Sequence, residues 1–598
     1  MQSKSSASIG LKRYLPVLGS PAYHLMLGTV AIFVLGPLGG ISAAFMNFSI
    51  GFFVGGQVLA GILGSVVTLP YGPDGKHGAN YMQTMASSVA GMCGMAVLIQ
   101  ARHWLGLPEV DAWQLVLFYC SIGMFGVGVG MLYTPVLVDR MQLNFPSGFA
   151  VANILRALTD PSLLRRSIAK LGGGMAIGYG VGLATLKVAA IGATGLSSST
   201  VGAGMIVGAR LAIPALVVAL VGRFTQPYLT EIGWLHAGDP FRKIGFIISL
   251  GTILGAALVD IILILREAYQ RFRSKVPVTT APVEDWKRVN FWRLVIWTIF
   301  WGAAVVVIGH LVIGEPTRFL LVAVGLSFVF VLVNGISLGI SDWNPISSAF
   351  VLTVFILAAM GLTSAGTGLM CASILLIACS VGGDMQQDRS TGWRLGTNRV
   401  AQFRYQMIGI IFGSVLAVVL AKVFLQAYPV LKFDQFGHDV PGAQQWQSAM
   451  TYKFVGALRG ITESQPHVLK ALWLGIGIGL ATEIIRKLVK RSVSYQAFSK
   501  ASATGKTTDF LFDAVVMPSP YASSFGGFVE IVTVLWWAAG GVGGTLFNMY
   551  SARQKSANDA NALPADMSTM SLAGGGLIAG DSLAALTVGV WGLLQTVL

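Results

Sequence analysis

The sequence predicts an all-α polytopic membrane protein of about 14–16 transmembrane helices, in two weakly similar halves with re-entrant or broken helices near two Pro-Ser motifs. Three observations predict it. Of 598 residues, 54% are hydrophobic and 11% charged, with mean hydropathy +0.71, whereas soluble domains carry about 25% charge. The apolar residues run continuously over lengths of about 20, enough for a helix to cross a bilayer, and do not alternate as barrel strands do. Finally, 74 glycines suit helices that pack closely or break within lipid.

Residues 1–24 carry Lys4, Lys12 and Arg13 without a cleavable leader pattern and read as a cytoplasmic segment. A first transmembrane half, 25–266, follows, with apolar windows near 25–45, 51–70, 80–101, 113–136, 169–189, 199–221 and 243–266. The segment 267–290 is a cytoplasmic loop, because Arg266, Arg271, Arg273, Lys275, Lys287, Arg288 and Arg293 cluster around it. The second half, 291–598, holds windows near 291–313, 318–340, 345–361, 364–382, 403–424, 468–488, 522–546 and 570–594. Alternation from the basic loop puts 383–402 and 489–509 inside and 425–467 outside, in agreement with their basic residues.

In the first half the alternation fails. Seven spans from an inside N-terminus leave 267–290 outside, so one element before 266 is re-entrant or an unrecognised span. The segment 142–158 is the candidate, since Pro146-Ser147-Gly148 breaks the chain ahead of a short apolar helical pattern that includes Asn153. An amphipathic surface helix is the alternative.

A weak internal repeat supports two halves. Residues 204–212 match 576–584 at five of nine positions with a shift of 372, and the same shift lays Pro146-Ser147 on Pro518-Ser519. The sequence leaves open whether the halves are parallel or inverted.

Several function classes lack support. The net charge of +15 lies in loops, as membrane topology requires, and no basic helix with interleaved aromatics points to nucleic acid. Cys93, Cys120, Cys371 and Cys379 lie in apolar segments without a CxxC, and the histidines are scattered, so neither a disulfide framework nor a metal site is expected. The run 500–507 lacks the first glycine and the preceding strand of a Walker loop. Gly335-Ile-Ser337-Leu-Gly339 matches G-x-S-x-G but ends an apolar helix, not a strand, which leaves an intramembrane hydrolase without a nucleophile elbow.

Charges within spans are costly, about 2.5–3.5 kcal/mol each on insertion scales, and mark ion or substrate handling. Arg210, Asp260, Glu530 and Asp581 are the candidates. Asp260 lies close to Arg266 near a helix end and reads equally well as structural. Arg210 and Asp581 occupy adjacent columns of the repeat, so a packing axis between halves would let them neutralise each other, either statically or while a carboxylate, Glu530 or Asp581, exchanges a proton. The polar run Asp384-Met-Gln386-Gln387-Asp388-Arg389-Ser-Thr391-Gly392 reads as a solvated loop or as an ordered cytoplasmic gate between two spans.

This run, continued to Gln402, resembles the D-x-M-Q-D-x-K-T-G-x-x-L-G-x-x-P-x-x-Q signature of the oligopeptide transporter (OPT) family, which includes yellow-stripe-like metal-chelate transporters. Gln386, Ser390 and Arg399 depart from it. Gln83-Thr-Met-Ala86, Leu143-Asn-Phe-Pro146-Ser147-Gly148, Asn344-Pro345-Ile-Ser347 and Gly576 to Asp581 also match, in the family's order. The N-P-G and K-I-P-P-R motifs of the eukaryotic peptide branch are missing, so the chain looks closer to the prokaryotic and yellow-stripe-like branch. The resemblance implies a secondary transporter, without cofactor, that imports peptides or peptide-like metal chelates with protons across a bacterial inner membrane, as a monomer or homodimer. Taken together, the candidates for substrate or coupling roles are Gln83, Asn153, Arg210, Asn344, Glu530 and Asp581, and the candidates for gate or structural motifs are Pro146, Ser147, Gly148, Asp384, Gln387, Asp388, Gly392, Pro518 and Ser519. A substrate-selective channel is the alternative, because broken helices also line pores.

Overall fold

The structure is a computed structural model. It describes residues 15–49, 56–159, 161–273, 284–341, 344–434, 446, 448–459, 466–528, 530–554 and 569–597. The described part is built of helices. Nine stretches among the described residues are long and apolar enough to cross a membrane: Pro21–Phe48, Ala60–Trp104, Ala112–Arg140, Ala209–Glu231, Asp285–Leu311, Thr317–Gly339, Ala365–Leu395, Arg399–Ala427 and Ile531–Ser551.

In chain order the α-helices of the first half are α1 Pro21–Val30, α2 Gly36–Ser49, α3 Gly56–Thr68, α4 Gly75–Cys93, α5 Val97–Trp104 and α6 Ala112–Thr134. Next come α7 Pro146–Thr159, α8 Pro161–Lys187, α9 Ala189–Gly192, α10 Ser198–Val207, α11 Ala209–Glu231 and α12 Arg242–Arg273. The second half continues with α13 Phe291–Leu311, α14 Thr317–Ser341, α15 Ile346–Ala359, α16 Ala365–Leu395, α17 Arg399–Ala427 and α18 Ala449–Arg459. It closes with α19 Pro466–Arg491, α20 Val493–Ala501, α21 Ala503–Leu511, α22 Pro520–Phe528, α23 Ile531–Gln554 and α24 Thr569–Val597. Local sequence sets many starts: Asp111 forms a capping box with Gln114 on α6, and Ser364 and Asn398 cap α16 and α17 through their side-chain oxygens.

Four short helices, α7 (14 residues), α10 (10), α15 (14) and α22 (9), fall below the ~20 residues needed to span. Of these, α7 and α22 lie at the Pro-Ser motifs where the sequence predicts breaks, α10 and α15 are breaks that it does not predict, and two apolar windows divide at short helices. The window 199–221 splits at Gly208, and the window 522–546 splits between α22 and α23. Gly208 has φ +78°, a conformation open to glycine but strained for other residues.

The chain reverses at Gly208. Gly204 packs on Trp537 and Gly541 of α23, the Ala209 amide donates to Thr545 Oγ1 at 2.9 Å, and Ala212 returns to Gly541. So α10 and α11 run in opposite directions along one helix, and this supplies the change of direction that alternation of sides demands before 266. The segment 142–158 does not supply it. Arg394 Nη2 donates to Asn144 O at 3.0 Å, and Arg156 Nη2 donates to Arg394 O, so both ends of α7 stay at one end of the bundle. Nor is α7 a surface helix, because Val151, Ile154 and Leu155 are all buried.

The Pro-Ser register of the repeat has a structural counterpart. A π-helical segment, Pro135–Arg140, precedes α7, and another, Phe512–Val516, precedes α22, with Pro146 and Pro518 standing at or just before the short helix that follows. The other repeat pair does not: Gly208 breaks the chain, whereas α24 runs unbroken through Gly580.

Small residues carry the long contacts, as expected where lipid gives helices no hydrophobic reason to associate. Gly174, Gly178 and Gly182 of α8 meet the backbone or Cβ atoms of Ala573, Leu577 and Ala584 of α24, and Gly251 and Gly255 of α12 meet Leu472, Gly475 and Ile476 of α19. A Cβ on Gly178 would lie 2.4 Å from Leu577 O, so the two backbones are in contact there.

Candidate functional site

Three helices bury polar faces against one another. On α4, Asn80, Gln83, Thr84 and Ser87 recur at helical spacing, which puts them on one face, and all are buried. On α17, Arg399, Gln402 and Gln406 do the same. Between them lies the end of α16, where Gln386, Gln387, Asp388, Arg389, Ser390 and Thr391 are all buried. The polar run from Asp384 to Gly392 is therefore not a solvated loop but an ordered part of α16. Its backbone is satisfied within α16, and its side chains find partners on other helices instead of water.

Those partners are specific. Asp388 accepts a short hydrogen bond from Gln83 Nε2 and a second from Ser87 Oγ at 3.3 Å. Asn80 Nδ2 donates to Gln83 Oε1 at 2.6 Å, and Gln402 Nε2 donates to Asn80 Oδ1 at 2.8 Å and to Asp388 O at 3.1 Å. Gly392 makes room for Gln402, since a Cβ there would lie 2.5 Å from Gln402 Oε1.

Two broken helices begin against the same helix. Thr391 Oγ1 donates to Gly148 O at 3.0 Å in the first turn of α7, where a Cβ on Gly148 would come within 2.7 Å of Gln387 O. Asn344, just ahead of α15, donates from Nδ2 to Cys379 O at 3.0 Å and accepts from Asn334 at 3.1 Å. Helix starts carry partial positive charge and unpaired N–H groups, and broken helices within a bilayer use them to hold anionic groups.

Arg389 is the exception to this satisfied network. It is fully buried, its Nε donates to Met131 Sδ at 3.5 Å, and among the described residues neither Nη1 nor Nη2 has a hydrogen-bond partner. Asp388 does not fill that role, because successive helical residues do not face each other and its oxygens are taken by Gln83 and Ser87. The side-chain amides of Gln386 and Gln406 are likewise buried with no hydrogen-bond partner among the described residues.

The structure thus brings together Gln83, Gly148, Gln387, Asp388 and Gly392, and sets Asn344 further along α16 against Cys379 and Gly383. Pro146, Ser147 and Asn153 lie on the buried helix α7, and Asp384 lies one turn up α16 against Gly91. Pro518 and Ser519 precede α22, away from this cluster.

The intramembrane charges fall elsewhere, and the expected pairing of Arg210 with Asp581 does not occur. Arg210 binds Asp513 at 2.9 Å and Asp509 at 3.0 Å. Asp581 instead accepts from the Ser199 amide at 3.1 Å and from Ser197 Oγ at 3.4 Å, at the start of α10. Arg210 stands just past Gly208, at the end of α10 opposite the serines that hold Asp581, so the length of α10 separates the two charges. Glu530 pairs with Arg242 at 2.8 Å and is 44% exposed within the bundle, so it is not the deeply buried carboxylate that its place in an apolar window implied.

Sequence reasoning missed Asn80, Arg389 and Gln406 as site residues. The signal was present for Asn80 in the polar spacing along α4. For Arg389 there was none, since only the fold shows that its terminal nitrogens lack partners. Among the described residues no group of three or more His, Cys, Asp or Glu side chains is placed to hold a metal ion.

These features define a polytopic helical membrane protein in which broken helices start against a buried, charged helix. The chain matches the family model described as OPT oligopeptide transporter protein over residues 25–192 and 264–591, and it belongs to that family. It is also similar to a probable metal-nicotianamine transporter, YSL12, of Oryza sativa subsp. japonica, with 24% identity over 181 residues. That match covers 29% of this chain and only 24% of the rice protein.

Proposed function

We propose that the protein is a secondary active transporter that imports oligopeptides or peptide-like metal chelates, coupled to protons, across the inner membrane. The observation that carries the reading is that two chain breaks, at α7 and at Asn344, start against α16, whose end buries both Asp388 and Arg389 within the bundle, where such charges are costly and commonly serve transport. Family membership and the likeness to a protein named for metal-nicotianamine supply the substrate class.

The positive charge of the end that holds Lys287, Arg288, Arg394 and Arg399 supports a cytoplasmic position for it. Of the carboxylates within the bundle, Asp388 and Asp581 are the coupling groups. Each is bound by neutral donors, Gln83 and Ser87 or the serines of α10, that tolerate either protonation state better than a fixed cation does.

Reconstituted vesicles test the reading. Labelled trialanine or nickel–nicotianamine should accumulate when the interior is made alkaline, and an uncoupler should abolish accumulation. Asp388→Asn or Asp581→Asn should lose accumulation yet retain exchange of substrate across the membrane. Downhill flux alone, unaffected by the uncoupler, makes the protein a channel. If both variants accumulate substrate with unchanged pH dependence, the coupling carboxylates are wrong.

A further inference from the structure

A cleft of about 1340 Å³ opens beside the basic end of α17. Its wall includes Asp139, Lys287, Arg288, Trp393 and Arg399, and its lining also includes Met131 of α6. Arg399 binds Asp139 through both nitrogens, at 2.8 Å for Nη1, and stacks over Trp286. Lys287 pairs with Glu284, which lines the same cleft, at 3.1 Å. Three cations and two carboxylates at one mouth favour an anion that also presents a cationic or metal-bound portion.

Met131 links this cleft to the orphan arginine. Its sulfur accepts from Arg389 Nε, so one flexible, unbranched side chain lies between the cleft and the guanidinium. A guanidinium with two free terminal nitrogens presents a fork that matches a carboxylate. Left unpaired and dry, that charge is costly, and docking of a carboxylate would satisfy it.

We propose that the cleft is the inward vestibule of the transport path, that Met131 closes its inner end, and that Arg389 is the binding residue for a carboxylate of the substrate. This rests on the transport reading above and adds to it the chemistry of the substrate and the residue that recognises it. Two sources of the carboxylate share that chemistry, the C-terminus of a peptide and an aminocarboxylate chelate.

A labelling experiment tests the geometry without requiring transport. Met131→Cys in membrane vesicles exposing the basic end is treated with an anionic or a cationic methanethiosulfonate, with the parent chain as background: Cys93, Cys371 and Cys379 are buried and do not line the cleft, and the half-buried Cys120 reacts alike in both. The anionic reagent should react roughly tenfold faster, because a desolvated cation concentrates anions beside it. Arg389→Gln in the same background should remove that preference, and Arg389→Lys should keep it, which also controls for a Gln variant that fails to fold.

Protection distinguishes the two sources. Trialanine, but not its C-terminal amide, should slow labelling if the peptide carboxylate docks, and nickel–nicotianamine should do so if the chelate docks. No labelling of Met131→Cys, a preference that survives in Arg389→Gln, or protection by neither ligand overturns the proposal. A protein that shows the charge preference and protection but no accumulation would instead refute the coupled-transport reading and leave the binding site standing.

Discussion

Asp513 should hold the ends of three elements together, and Asp513→Asn should loosen them. Its carboxylate is only 5% exposed and binds Lys490 at 2.6 Å, Arg210 at 2.9 Å and Arg486 at 3.2 Å. Arg210 opens α11 just after the reversal at Gly208, Arg486 and Lys490 end α19, and Asp513 sits in the π-helical segment after α21. Removing one partner of a buried pair costs about 3–5 kcal/mol when the remaining charge stays buried. Here the cations are 47%, 20% and 32% exposed, so they recover water, and Asp509 still holds Arg210 and Lys490. The expected loss is therefore about 2 kcal/mol, or roughly thirtyfold in the unfolding equilibrium. Denaturant unfolding of the purified protein measures it, and a cycle with Arg210→Gln isolates the share that crosses from α11 to the second half. A loss within about 0.5 kcal/mol of the parent, the range of ordinary surface changes, would show that the cluster is solvated and joins nothing.

Further outcomes follow from the same structure. Burial raises the carboxyl of Asp509, but Lys490, Tyr495 and Arg210 outweigh it and hold the group below its ordinary value of 3.8. Its contribution to stability is then fully present above that ordinary value and is lost only as pH falls through the lower folded value. The stability difference between parent and Asp509→Asn should accordingly stay constant from about pH 5 to about pH 8 and shrink only in stronger acid; a difference that changes within that window refutes the assignment. Gly178→Val should separate α8 from α24, because a Cβ already lies 2.4 Å from Leu577 O, and should lower stability by about 1–3 kcal/mol. Gly392→Ala should displace Gln402 from Asn80 and Asp388 and reduce transport more than expression, as measured by initial uptake at equal protein in the membrane.

Hydropathy made the helices legible because crossing a bilayer needs a length and an apolarity that any window can sum. The breaks were legible only where residue chemistry announced them. Pro146 and Pro518 did so, and both stand at short buried helices preceded by π-helical segments. Gly208 did not, because one glycine among 74 looks like any other until its φ of +78° and its place against α23 are seen. A window average across 199–221 hides a reversal that changes no composition.

The polar run on α16 shows the opposite failure. Asp384 to Gly392 reads as a loop because propensity and hydropathy set each polar side chain against water. In the fold the competing partners are Gln83 and Ser87, about three hundred positions away in the chain, and Gln402 across a tight turn. A buried polar helix is legible only when the partner helix is read beside it, and the spacing of Asn80, Gln83, Thr84 and Ser87 on α4 was that second half of the message. Arg210 and Asp581 carry the complementary lesson. Adjacent columns of a repeat locate similar stretches of chain, not contacts: Arg210, at the far end of α10, meets Asp513, while Asp581 on unbroken α24 meets the serines at the start of α10. What places a charge in such a bundle is the direction of the helix that bears it.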